Sequence, residues 1–484
     1  MWIELFIYIT VPKEQLGEKE KPEIILNPTT MTMYNGIPLS EPISVIVPET
    51  KVYTKRWLML ALFILTSMIN AFQWIHFSII APVVQRFYNV ESHAVDWTSM
   101  IYMVTYIPLI FPASYLLNKK GLRVVVLLGI LGTAAGGWIK VLSAAPDRFW
   151  VAFIGQTVTA ISQIFILGTP PHLAAVWFGA DQVSSATAMG VFGNQVGIAL
   201  GFVLPPLLVP YSSEAYNEEY TAINLRNMFL GVASFATAVL LLVIVFFKEK
   251  PLMPPSLAQL NSNSKEESFL KTIMRLLKNK AYLLLLVTYG INTGVFYAIS
   301  TLLSQFIEVH FPNSSEQAGL IGLTMVVSGV LGSVVGGIIL DKTHKFKETT
   351  IAIYALSFLG LLAFTLTIGA GHIEVVFLTS GLLGFFMTGY LPVGFEFAAE
   401  LTYPEPEGTS SGLLNASAQV FGILLTLLAG YLLTSVSDLV SNFVLCGLLL
   451  VGSALTFLIR SDLRRQAAQT IQTTAVETVT EKIV

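Results

Sequence analysis

The sequence predicts an all-α multi-pass membrane protein, with twelve transmembrane helices arranged as two pseudo-symmetric six-helix halves. Two observations on composition carry the first part. Mean hydropathy is +0.70, and only 12% of the 484 residues are charged, where a soluble domain carries roughly 25%. A pattern that recurs after 223 residues carries the second.

A bilayer core takes about 20 predominantly apolar residues per helix. Such runs occur near 57–80, 97–118, 122–143, 150–172, 183–209 and 227–247, and then near 281–308, 317–340, 349–369, 373–399, 410–433 and 439–459. The opening "MWIELFIYIT" is apolar but carries Glu4 and lacks a basic lead and a small-residue cleavage site, so it reads as neither signal peptide nor span. Residues 1–50 are expected to form a disordered cytoplasmic segment, 51–247 the first six-helix half, 248–280 a linker, 281–460 the second half and 461–484 a tail.

Basic residues gather in alternate loops, which sets orientation. Lys51, Lys55 and Arg56 precede the first span, and Lys119, Lys120 and Arg123 follow the second. Lys342, Lys345 and Lys347 follow the eighth, and Arg460, Arg464 and Arg465 the last. Both termini are therefore expected to be cytoplasmic, which puts the Asn313-Ser314-Ser315 sequon outside as a glycosylation candidate. Within the linker, "KEESFLKTIMRLLKNK" spaces Phe269, Leu270, Ile273, Met274 and Leu277 helically among basic residues, a pattern for a helix on the inner membrane face or, alternatively, a calmodulin-type target.

"SYLLNKKGLR" after the second span and "GIILDKTHKFK" after the eighth share a small residue, three apolar residues, Asn or Asp, then Lys. Asn118 and Asp341 stand 223 positions apart, as do Trp74 and Tyr297, and the same offset carries Gln195 to within one residue of Gln419. Two halves repeated in one orientation enclose a substrate near the midplane. The Gly337-x-x-x-Asp341-Lys342 segment resembles the loop signature of major facilitator transporters, with a degenerate first copy that has Ser114 and Asn118.

Polar groups at membrane depth are uncharged amides and aromatics: Asn70, Gln73, Trp74 and His76 in the first span, Gln156 and Gln163 in the fourth, Asn194 and Gln195 in the fifth, Asn292 and Tyr297 in the seventh, Asn415 and Gln419 in the eleventh. Singly, each amide reads as an interhelical hydrogen bond; together they suit a shared polar cavity. An organic anion calls for Arg or Lys at depth, and Lys140 lies near the outer end of the third span. A cation without a carboxylate can be held by aromatic faces, which Trp74 and Tyr297 could supply from opposite halves. His76 is placed at the outer rim. Asp96, Arg123, Asp341, Lys342, Glu396 and Glu400 are candidate gate residues by position.

"NAFQW", "DWTSMIYMVTYIPLIFPASYLL", "SQIFILGTPPHLAAVWFG", "GNQVG", "YGINTGVFYAISTLL", "GFFMTGYLPVGFEFAAELTYPEPEGTSSGLLNASAQVFGIL" and "IRSDLRR" resemble the feline leukaemia virus subgroup C receptor-related family, solute carrier family 49, over about residues 51–466. The resemblance implies a major facilitator fold and facilitative transport of choline, and in some members ethanolamine, with haem export as the alternative. It implies a choline site of Trp74, Tyr297, Gln163 and Gln419, to which Asn70, Gln73 and Gln195 are added as neighbours. Asn70 and Gln73 would bond the substrate hydroxyl or adjacent helices. Haem would need an axial ligand and basic groups for its propionates, so the residues favour the small cation. No enzyme, cofactor, metal site or nucleic-acid partner is expected; the one cysteine, Cys446, excludes an intrachain disulfide. A monomer in the bilayer, most simply the plasma membrane, is the expectation.

Overall fold

Among the described residues, twelve helices are long and apolar enough to cross a membrane, as expected from the hydropathy pattern. The computed structural model describes residues 51–464 apart from 180–181, 211–215, 256–268, 344 and 406. The expected N-terminal segment, tail residues 465–484 and linker residues 256–268 lie outside the described residues, as do the side chains of Asn118 and Asp341. From Val52 onward the described residues belong to one unit.

Fifteen helices occur among the described residues: α1 Lys55–Ile75, α2 Ala81–Tyr88, α3 Ser92–Lys120, α4 Leu122–Val141, α5 Phe149–Leu167, α6 Pro170–Trp177, α7 Val183–Leu208, α8 Glu218–Phe246, α9 Phe269–Lys278, α10 Lys280–His310, α11 Ser315–Thr343, α12 Phe346–Ile368, α13 Ile373–Thr402, α14 Glu407–Ser435 and α15 Asp438–Phe457. Two expected spans are interrupted. The first, read as continuous over 57–80, stops at Ile75, turns through 76–80 and restarts as α2 with a proline in its first turn. The fourth, read to 172, stops at Leu167 and restarts as α6 at Pro170. Proline lacks a backbone N–H and suits the first helical turn, so each proline opens a new helix.

Helices α1, α4, α5, α7 and α8 pack among themselves, and α10 to α15 do likewise. The two sets meet along α7 with α11 and along α3 with α14. Small residues allow close approach: a Cβ on Gly136 would lie 2.5 Å from the Gly155 carbonyl, so α4 and α5 touch backbone to backbone.

The basic loops share one end of the bundle, the basic end. There the Glu249 carboxylate accepts from the N–H groups of Leu122 and Arg123, both at 2.7 Å, and so caps the N-terminus of α4. The linker helix α9 lies against the second set. Arg275 forms a bidentate pair with Glu405 at 2.6 and 2.9 Å, and Asn279 donates to the Leu401 carbonyl at 2.9 Å. Met274 and Leu277 stay exposed on α9, while Thr272 and Leu276 face the protein.

Candidate substrate-binding site

Trp74 is the next-to-last residue of α1, immediately before the break, and Tyr297 lies midway along α10. Their ring centroids are 5.6 Å apart with an interplanar angle of 72°. The structure thus brings one ring from each helix set into edge-to-face contact. Gln419 on α14 lies beside the Tyr297 hydroxyl. Gly422, one turn further on, is needed there: a Cβ would lie 2.8 Å from Met103 Sδ and 2.9 Å from Tyr297 Cδ2. Tyr106, one turn beyond Met103 on α3, is buried and lies near the Tyr297 hydroxyl. Four spans therefore converge on the aromatic pair.

The remaining sequence-derived candidates divide. Gln163 on α5 and Gln195 on α7 are half-buried, and neither amide makes a hydrogen bond among the described residues. Asn70 and Gln73 are fully buried within the first set. The Asn70 amide donates to Thr133 Oγ1 at 2.9 Å and to the Thr159 carbonyl at 3.2 Å. Gln73 Nε2 donates to the Ile69 and Thr133 carbonyls, and its Oε1 accepts from Thr159, all at 3.4 Å. Of the two roles open to these amides, the structure shows the tie to neighbouring helices.

His76 is not a rim residue. It is 1% exposed, packed between Phe72, Phe77 and Phe229, with Nδ1 2.7 Å from the Gln73 carbonyl. The chain turns inward after Ile75, and the ring turns with it. Lys140, near the end of α4 as expected, is also buried, at 1% exposure; its depth in the bundle is invisible in sequence because α4 ends there.

Away from the basic end, Asp96 of α3 bridges to α10 and is 5% exposed. Its carboxylate accepts from Gln305 Nε2 at 2.7 Å, while Gln305 Oε1 accepts from Ser92 at 2.6 Å. Ser99 and Thr301 hydroxyls pair at 3.0 Å one turn deeper. Toward the basic end, the Cβ positions of Gly168, Gly408 and Gly412 meet no other group within 4 Å among the described residues. Of the other gate candidates, Arg123 donates to the Ile244 carbonyl at 3.0 Å within its own set. Lys342 and Glu396 are exposed and Glu400 is buried. Asn313 is exposed in the turn between α10 and α11, its N–H donating to Glu308 at 2.9 Å.

A family model described as Major Facilitator Superfamily matches residues 62–370 and 310–481. The Choline/ethanolamine transporter flvcr2a of Danio rerio is 54% identical over 425 residues, which cover 87% of this chain and 90% of that protein. Choline/ethanolamine transporter FLVCR1 of Felis catus is 51% identical over 421 residues, covering 86% and 75%.

The chain belongs to the feline leukaemia virus subgroup C receptor-related family of the major facilitator superfamily.

The human member named Choline/ethanolamine transporter FLVCR2 is 48% identical over 421 residues, covering 86% and 80%. Like its relatives, this family member is a multi-pass membrane transporter rather than an enzyme. Two solved major facilitator folds match at low identity and bear on the fold alone. FucP in the outward conformation aligns with TM-score 0.61 at 14% identity, covering 84% of this chain and 99% of that one. An inward-facing bacterial homologue of the lysosomal transporter Spinster aligns with TM-score 0.64 at 13% identity, covering 86% and 99%.

Sequence reading missed Met103, Tyr106 and Gly422 as neighbours of the pair. The signal available was the "MIYMVTY" stretch, whose Met103 and Tyr106 are three residues apart and so share a helix face.

Proposed function

We propose that this transporter carries choline, and ethanolamine more weakly, by facilitative uniport, with the cation held between Trp74 and Tyr297. The observation that carries the reading is the meeting of these two rings across the helix sets at 5.6 Å and 72°. Rings at such an angle form a corner, and a cation in it lies against both. A desolvated quaternary ammonium gains about 2 kcal/mol or more from an aromatic face. Gln419 beside the Tyr297 hydroxyl is placed to receive the substrate hydroxyl, with Gln163 and Gln195 as further uncommitted amides. Ethanolamine lacks the methyl groups that fill an aromatic corner, which sets the order of preference.

Alternating access follows from the distribution of contacts. Asp96, Gln305 and Ser92 join the sets at the end opposite the basic loops, and the positive-inside rule assigns the basic end to the cytoplasm. In this reading the end joined by Asp96 is the closed one, in a plasma-membrane protein acting as a monomer. Lys342, Glu396 and Glu400 stand at the end that must close in the opposite state, as gate groups.

Uptake of labelled choline, ethanolamine and haem by cells expressing the protein tests this, with membrane potential and pH varied separately. Saturable choline uptake that follows potential and ignores a proton gradient supports the reading. Surface-expressed protein that moves haem but neither amine overturns it.

A further inference from the structure

Lys140 places an amine that the proposed transport cycle does not use where charge is costly to keep. Its ammonium is 1% exposed, with no carboxylate within ion-pair distance among the described residues. Room for its stem is made by Gly155, where a Cβ would lie 2.8 Å from Lys140 Cγ. Nζ donates to Gln156 Oε1 at 2.8 Å, and Gln156 Nε2 donates to the main-chain carbonyl of Gln73 at 2.6 Å. That carbonyl belongs to the last turn of α1, where helix carbonyls lose their helical donors, and it belongs to the residue before Trp74. A cation near a helix C-terminus also complements the helix dipole.

The other limb of the broken span is tied to the same turn. Ser143 Oγ donates to the Lys140 carbonyl at 2.6 Å, and the Tyr88 hydroxyl at the end of α2 donates to the Ser143 carbonyl at 3.1 Å. Both sides of the break thus converge on residues 140–143.

We propose that Lys140 is a positioning residue: through Gln156 it fixes the Gln73 carbonyl, and with it the direction in which the broken first span presents Trp74. The inference rests on the reading of Trp74 as part of the substrate site. Gln156 is the lever because its amide oxygen takes the ammonium while its amide nitrogen holds the backbone. A polarised amide is a better donor than a neutral one.

The test uses the full-length protein in proteoliposomes, with KM and Vmax for labelled choline measured on wild type, Lys140→Met, Gln156→Glu and Trp74→Ala. Lys140→Met keeps the stem and removes the charge. Gln156→Glu keeps a partner for Lys140 but cannot donate to the Gln73 carbonyl. Both are expected to raise KM about tenfold with Vmax per inserted protein within about twofold. If Lys140→Met does not insert, Gln156→Glu decides alone. A wild-type KM in the inserted variants, or a loss of Vmax alone, overturns the inference while Trp74→Ala is inactive. Undiminished uptake by Trp74→Ala overturns the site reading, and this inference with it.

Discussion

The ring of Trp74 meets the ring of Tyr297 at 72° and 5.6 Å although 223 residues separate them. The contact joins α1 to α10, the first span of each half, and Gly422 keeps the space beside it clear.

Gly422→Ala is therefore expected to impair the site without harming the fold. The added methyl meets side chains only, Met103 Sδ and the Tyr297 ring, and side chains yield where backbone does not. Choline KM is expected to rise roughly fivefold, with surface expression retained; the cost of a rotated ring is of order 1 kcal/mol. Uptake kinetics at matched surface expression check this.

Tyr297→Phe separates the ring from its hydroxyl. The face for the cation remains, and the contact with Gln419 is lost. A net hydrogen bond of about 1 kcal/mol corresponds to a KM increase of roughly fivefold, whereas Tyr297→Ala, which removes a face worth about 2 kcal/mol, is expected to cost about 30-fold. Gln419→Leu should cost more than the phenylalanine variant, because the substrate hydroxyl loses its partner as well, and the pair should be non-additive in a double-mutant cycle.

Gln305→Leu strips the amide that donates to Asp96. A buried carboxylate left without that donor favours the state in which it reaches water, so the end opposite the basic loops opens more often. A cysteine introduced at buried Thr301 should react about tenfold faster with an impermeant maleimide added outside. The native Cys446 is buried and is replaced by alanine in this background.

Glu249→Ala is the structural counterpart. Loss of the cap on Leu122 and Arg123 is expected to lower stability by about 1–2 kcal/mol. Choline KM should not move, because Glu249 sits at the basic end, far along α4 from the aromatic pair. Thermal unfolding of purified protein in parallel with uptake checks both halves of the expectation.

Much of this architecture was legible in the sequence because lipid imposes one rule: a run of apolar residues long enough to span must be a helix. Trp74 and Tyr297 were legible as well, through the repeat offset. What the sequence concealed was depth and direction. His76 and Lys140 read as peripheral because they stand near the ends of apolar runs, yet both are buried, His76 in the turn after Ile75 and Lys140 against Gly155 and Gln156 of α5. That break was itself concealed: Pro82 lies seven residues past Ile75, within a stretch apolar enough to pass for continuous helix. Asn70 and Gln73 show the complementary limit. An amide one turn from an aromatic site residue can face the site or the neighbouring helices, and only the structure shows their hydrogen bonds to Thr133 and Thr159.

The central claim is that one aromatic ring from each half holds the cation. Its most direct measurement is potential-driven choline uptake by purified protein in liposomes, for wild type beside Trp74→Ala, Tyr297→Ala and Glu249→Ala, each corrected for inserted protein. Uptake that persists in Glu249→Ala and falls by about 30-fold or more in KM-limited rate in both ring variants is the expected result. Equal rates for wild type and either ring variant would contradict it.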